Sequence, residues 1–188
     1  MCVALFAVTL PAQAQDTPTA EIFGGYSYLN SSPGDPTGIA DRLNMHGWNG
    51  SFAGNFNYWF GIVGDFSGHY TSDCVDVLVV DISCDHHSFA AGPEVSFRGT
   101  RTRAFVRALF GVDNASVEAG ALGFTTSTSD NSFLFGGGGG VDIRANDSIS
   151  IRAVQFDYLT TDHFSDLGAD RQHHFRISAG VVITLARR

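Results

Sequence analysis

Apolar and polar residues alternate with a period of two through most of the chain. The clearest case is "GWNGSFAGNFNY", Gly47 to Tyr58. Trp48, Phe52 and Phe56 fall on one face with Gly50 and Gly54 between them; Asn49, Ser51, Ala53, Asn55 and Asn57 fall on the other. That period belongs to an extended strand, whose successive side chains point to opposite faces. The next segment, "GIVGDFSGHYT", sets Ile62, Phe66 and Tyr70 against Asp65, Ser67, His69 and Thr71. Further strands are predicted over Ala20–Leu29, His86–Phe97, Ala104–Ala115, Ser132–Arg144, Ser148–Leu159 and His173–Leu185. No segment carries a helical period, so the fold class is all-β with eight strands.

Strand length and spacing sharpen this. Most predicted strands hold 10–13 residues, which matches the roughly 9–11 that a tilted strand needs to cross a bilayer. Long polar connections follow strands one, three, five and seven: residues 30–44, 73–85, 116–131 and 160–172. Short ones follow strands two, four and six, near Trp59, over Gly99–Arg103 and over Ala145–Asp147. Long loops at one end and tight turns at the other are the arrangement of an antiparallel, up-and-down transmembrane β-barrel. In "SISIRAVQFDYL" the phase slips: Ile149 and Ile151 face out with Arg152 in, then Phe156 and Tyr158 face out with Gln155 and Asp157 in. A β-bulge at Ala153–Val154 reconciles the two halves.

Charge then selects the lipid face. The polar face carries Glu21, Asp65, Glu94, Asp142 and Asp157 against Arg107, Arg152 and Arg176. Enclosed charges persist only when paired and hydrogen-bonded. The chain has no lysine, and arginine suits bidentate enclosed pairs. The predicted barrel therefore turns its apolar face to lipid and keeps a polar, plugged interior holding this charge network. Tyr26, Tyr28, Trp48, Tyr58, Trp59, Tyr70 and Tyr158, near strand ends, are candidates for interfacial girdles.

The formal net charge of −8 excludes nucleic acid as a partner, since that affinity rests on excess Lys and Arg. Residues 1–14, "MCVALFAVTLPAQA", read as a signal peptide with an A-x-A cleavage site at Ala12-Gln13-Ala14. No positive n-region precedes the apolar run, so the segment reads as the later part of a longer leader. Residues 20–186 form the barrel domain. Of the cysteines beyond the leader, Cys74 and Cys84 are an even pair in an exported chain and are expected to form a disulfide, contributing about 2–3 kcal/mol. A metal pair is the weaker alternative, because the intervening "VDVLVVDIS" has no histidine.

With "EIFGGYSYLN", "GGGGGVDI", "SIRAVQFDYL" and the terminal "SAGVVITL" in place, the chain resembles the OmpA-like eight-stranded outer-membrane β-barrels of Gram-negative bacteria. Ser178, Gly180, Ile183 and Leu185 fill the places of that family's C-terminal assembly signal. The family's final position is usually aromatic, here Leu185, and Ala186-Arg187-Arg188 follow it. The resemblance implies location in the outer membrane. It implies outer-membrane lipid, lipopolysaccharide and the outer-membrane assembly machinery as partners, and a monomer.

Other candidate chemistry is weaker. His86-His87 and His173-His174 begin strands four and eight, which are expected to lie on opposite walls, so no metal site is assigned; zinc needs three or four converging ligands. His163-Phe164-Ser165 has the H-x-S spacing of outer-membrane lipid A deacylases but lacks an orienting acid on a neighbouring strand, so no catalytic residues are assigned. Asp35, Asp41, Asp73, Asp76, Asp81, Asp85, Glu118, Asp130, Asp162, Asp166 and Asp170 make the long connections acidic, against only Arg42 and Arg171. They could meet an extracellular ligand or divalent cations. The expected role is structural or adhesive, with no cofactor and no enzymatic activity. The alternatives are a narrow pore or small-molecule-binding barrel, and thirdly a lipid-modifying enzyme.

Five consecutive glycines, Gly136–Gly140, are neither a phosphate loop nor a linker. No Lys-Ser/Thr follows, and Phe133, Phe135, Val141 and Ile143 carry one alternating face across them. They are predicted as the middle of strand six. Gly136, Gly138 and Gly140 would leave room inside for arginine side chains, and Phe110 would cover the outward glycines.

Overall fold

The computed structural model describes residues 18–32, 43–71, 81–121, 124–161 and 172–187. Eight strands follow one another: β1 Pro18–Ser32, β2 Leu43–Asn55, β3 Phe60–Thr71, β4 Asp81–Arg98, β5 Thr102–Ala121, β6 Phe124–Arg144, β7 Ile149–Thr161 and β8 Gln172–Arg187. Each pairs antiparallel with its neighbours, and β8 returns to β1, closing the barrel.

The turns at one end are short because side chains replace missing backbone partners. Asn57 Oδ1 accepts from the amides of Trp59 (3.0 Å) and Phe60 (2.7 Å). Asn146 Oδ1 does the same for Ser148 (2.9 Å) and Ile149 (2.8 Å). Between β4 and β5 the Gly99 amide donates to the Thr102 carbonyl at 2.7 Å. Arg103, expected in that turn, instead belongs to β5 and faces inward. The third long connection also differs from expectation. β5 and β6 stay paired through Ala121 and Phe124, so Glu118 and Asp130 lie on a hairpin ladder. Asp81 and Asp85 likewise belong to β4.

The bulge lies where the alternation slips. Arg152 pairs with Gly180 and Gln155 with Ser178, leaving Ala153 and Val154 opposite one residue of β8. Both face outward, while Arg152, Gln155 and Asp157 are buried. The extra residue thus keeps three polar side chains on the lumen side.

The outer face is apolar along every strand, with Phe52, Ile62, Phe89, Phe110, Ile151 and Val181 among its exposed residues. Its aromatic–histidine contacts gather near the long-connection end: Tyr26 with His46, Tyr70 with His87, and Tyr158 with His173. Trp59 and Tyr58 sit at the short-turn end. The interior is less uniformly polar than expected. Val63, Leu109, Leu134, Leu159, Phe23 and Phe105 are also buried, and Ala53, Val63, Ala90, Leu109, Leu134 and Leu159 form one cluster. These residues share the parity of the inward polar ones. They fill wall volume that paired charges leave vacant, as an eight-stranded barrel requires.

The glycine run lies in mid-β6, paired to β5 and β7 on either side. A Cβ on Gly138 would collide with Asp157 Oδ1 and the Phe156 carbonyl; one on Gly140 would sit 2.8 Å from Phe105 Cζ. The space inside therefore goes to Phe105 and Asp157, with arginines stacked beyond, rather than directly to arginine. Outside, Phe110 does not cover a glycine. It packs against Phe135 at 5.2 Å between centroids, and the nearest side chain to the Gly139 position is Val106.

Candidate functional site: a tiered lumen

The lumen holds three polar tiers. The tier nearest the short turns contains Glu21, Glu94 and Asp142 against Arg98, Arg103 and Arg152. Arg98 reaches Glu21 at 3.1 Å. Arg103 contacts Glu21 at 3.4 Å, Asp142 at 3.0 Å, and Glu94. Arg152 Nε meets Asp142 at 2.7 Å, and its guanidinium lies 4.3 Å from the ring centroids of both Phe23 and Phe105. The two inward aromatic faces complement a cation that the protein removes from water.

The middle tier sets Asp65 and Asp157 against Arg107 and Arg176. Arg107 Nη2 lies 3.0 Å from Asp65 and 2.9 Å from Asp157. Arg176 Nη2 lies 2.8 Å from Asp65 and 2.9 Å from Asp157. Asn49 donates to Asp65 at 3.1 Å, and Gln155 bridges Asn49 (3.0 Å) and Asp157 (2.8 Å). Side chains from β2, β3, β5, β7 and β8 therefore meet across the axis. Both tiers balance cation for anion, which is the condition for keeping charges in a low-dielectric interior.

The third tier lies toward the long connections. His69 Nε2 shares a hydrogen bond with Ser27 Oγ (2.9 Å), His174 Nε2 with Thr161 Oγ1 (2.9 Å), and His86 Nε2 meets Asp113 at 2.8 Å. The His86 and His174 rings are 5.3 Å apart. Opposite strands did not keep them apart, because an eight-stranded barrel is only about two side chains across. Their neighbours His87 and His173 face outward, as alternation demands. Among the described residues no group of three or more His, Cys, Asp or Glu has the arrangement to hold a metal ion. Ser27, which shares that hydrogen bond with His69, is fully buried, and Asp113 is paired with His86.

Glu21, Asp65, Glu94, Arg107, Asp142, Arg152, Asp157 and Arg176 are thus all buried in the lumen. Arg98 and Arg103 were missed because they flank a turn. On β8, Ser178 is buried and donates to Ser27 Oγ (3.0 Å), while Ile183 and Leu185 face outward. Gly180 lies opposite Gly25 of β1, and a Cβ on either would strike the other strand's backbone. Residues 1–14, Cys74, His163, Ser165, Asp35, Asp41, Asp73, Asp76, Asp162, Asp166 and Asp170 lie outside the described residues, so the disulfide, the leader and the H-x-S motif do too.

A closed barrel that is apolar outside and ion-paired inside defines a membrane-spanning β-barrel. The chain matches the family model for the outer membrane protein beta-barrel domain over residues 1–182, and it belongs to that family of outer-membrane proteins. No curated protein matches it. Among solved structures it is similar to Ail, the attachment invasion locus protein of Yersinia pestis, with 17% identity and a TM-score of 0.63 over 87% of this chain and 97% of that one. Ail in complex with the heparin analogue sucrose octasulfate gives 19% identity and 0.61, over 87% and 97%. Neisserial surface protein A gives 12% and 0.63, over 89% and 97%. At these identities the likeness is one of fold.

Proposed function

We propose that this chain is a monomeric, non-enzymatic surface protein whose barrel is a sealed anchor for adhesive extracellular segments. The observation that carries the reading is the middle tier. Arg107 and Arg176 are buried and tied to Asp65 and Asp157 from facing walls, so charged side chains meet across the axis, which supports a sealed lumen. The test is single-channel recording in planar bilayers. No discrete conductance steps are expected, and regular steps in potassium chloride would favour the pore alternative.

The similarity to an attachment protein supports an adhesive role, but the chemistry of the partner should differ from a heparin analogue. The long connections carry Asp35, Asp41, Asp73, Asp162, Asp166 and Asp170 with only Arg42 and Arg171. Such segments repel sulfated polysaccharide and attract basic protein surfaces. Cells displaying the protein should bind immobilised basic protein in a manner that weakens with salt; equal binding to immobilised heparin would refute this. The proposed Cys74–Cys84 disulfide would shape the second segment. Ser178, Gly180, Ile183 and Leu185 would serve recognition by the assembly machinery. Outer-membrane lipid and lipopolysaccharide surround the apolar face in this reading.

A further inference from the structure

The short-turn mouth of the barrel carries charge that the lumen does not neutralise. A shallow recess open to solvent lies there, lined by five arginines, Arg98, Arg101, Arg103, Arg144 and Arg187. Only two carboxylates, Glu21 and Asp142, share the lining. Those two are already engaged, Glu21 by Arg98 and Arg103, Asp142 by Arg103 and Arg152. Arg101, Arg144 and Arg187 have no acidic partner among the described residues. Their backbones converge from the β4–β5 turn, the end of β6 and the end of β8. Thr102, Ser150 and Thr184 add hydroxyl donors to the same wall.

This concentration is unexpected in a chain of net charge −8. Repulsion among clustered cations lowers stability, so a cluster without acidic partners around a recess is suited to bind an anion. Arginine supplies planar, bidentate donors that match the oxygens of a phosphate, where a lysine would supply only a point charge. The recess opens along the barrel axis, since Glu21, Arg103 and Asp142 form its floor inside the lumen. An occupant therefore enters from the periplasmic side, where short turns lie in outer-membrane barrels.

We propose that this mouth is a binding site for an anionic phosphate group presented from the periplasm. Arg101, Arg144 and Arg187 would be the primary contacts, and Arg98 and Arg103, held by Glu21 and Asp142, the rigid floor. The site lies at the opposite end from the acidic segments and does not depend on their role.

The test uses inorganic pyrophosphate as probe, titrated calorimetrically into the full chain in nonionic detergent at constant ionic strength. Saturable binding is expected. It should weaken at least tenfold in R101Q/R144Q/R187Q and in R101Q/R144Q, which leaves β8 untouched. Both variants are taken forward with heat-modifiable gel mobility as proof of folding. A second arm places the protein in phosphatidylcholine nanodiscs with or without phosphatidylglycerol. If a lipid headgroup is the natural source, phosphatidylglycerol should compete with pyrophosphate on the wild type; if a soluble phosphate is, it should not. Either result supports the site. Pyrophosphate binding that is absent, or equal in wild type and both variants, overturns it.

Discussion

At the scale of single residues, the lumen works by balance, and Arg176 shows what balance is worth. It is wholly buried and touches both Asp65 and Asp157. Replacing it by glutamine leaves two enclosed carboxylates facing Arg107 alone. Breaking a buried ion pair from one side typically costs about 3–5 kcal/mol. R176Q should therefore unfold at clearly lower urea than wild type in detergent micelles. D65N/R176Q, which restores neutrality, should recover part of the loss, making the pair strongly non-additive. An R176Q transition coincident with wild type would show that the guanidinium contributes nothing net. Gly138 makes a steric case rather than an electrostatic one. Its missing Cβ is the space that Asp157 and the β7 backbone occupy. Gly138→Ala should destabilise by roughly 1–3 kcal/mol, the usual range for overpacking. The same substitution at Gly54, where a Cβ meets nothing within 4 Å, should be near neutral in the same urea titration.

At the scale of elements, β7 shows how a strand corrects its own phase. Two outward residues in succession, Ala153 and Val154, let Arg152 and Gln155 both point inward. Deleting Val154 should leave a regular ladder with Arg152, Gln155 and Asp157 still inside, so the protein should still fold. Deleting Phe156 should send Asp157 to the lipid face and strip Arg107 and Arg176 of a partner. Heat-modifiable mobility should survive the first deletion and fail in the second. If both fold equally well, inward placement of Asp157 is not what the bulge protects. The bulge was legible because apolar and polar residues exchanged parity within one segment. All eight strands were legible from period-two alternation, and the paired charges on one face told which face meets lipid. What escaped reading lay where period two says little. Arg98 and Arg103 flank a turn, where alternation loses its frame. Phe105 and Leu109 share the parity of Arg107, but apolar character was assigned wholly to the other face. The His86–His174 contact escaped because strand order gives neighbours around the wall, whereas this contact crosses the lumen.

At the scale of the whole molecule, closure depends on the one ladder that joins the two ends of the barrel. β1 meets β8 from Glu21↔Thr184 to Ser32↔His173, and near its middle Gly25 lies opposite Gly180. A Cβ at Gly180 would lie 2.5 Å from the Gly25 Cα, and one at Gly25 would lie 2.9 Å from the Gly180 Cα. At this point of the ladder the space a Cβ would need on either strand is taken by the other strand's backbone. Gly180 also falls within the segment that resembles the family's assembly signal, so one residue combines two requirements that experiment can separate. Refolding of purified chain into lipid vesicles without assembly machinery tests closure alone. Gly180→Val should slow refolding there and leave a larger unshifted band on unboiled gels, because the valine must push β1 away before the last ladder can form. Leu185→Phe, at a position that faces outward, should refold in vesicles like wild type. In cells it should raise the outer-membrane yield, since an aromatic residue is usual at the final position of the assembly signal this segment resembles. A Gly180→Val protein that refolds in vesicles at the wild-type rate but fails to reach the outer membrane would assign this glycine to recognition rather than to closure of the barrel.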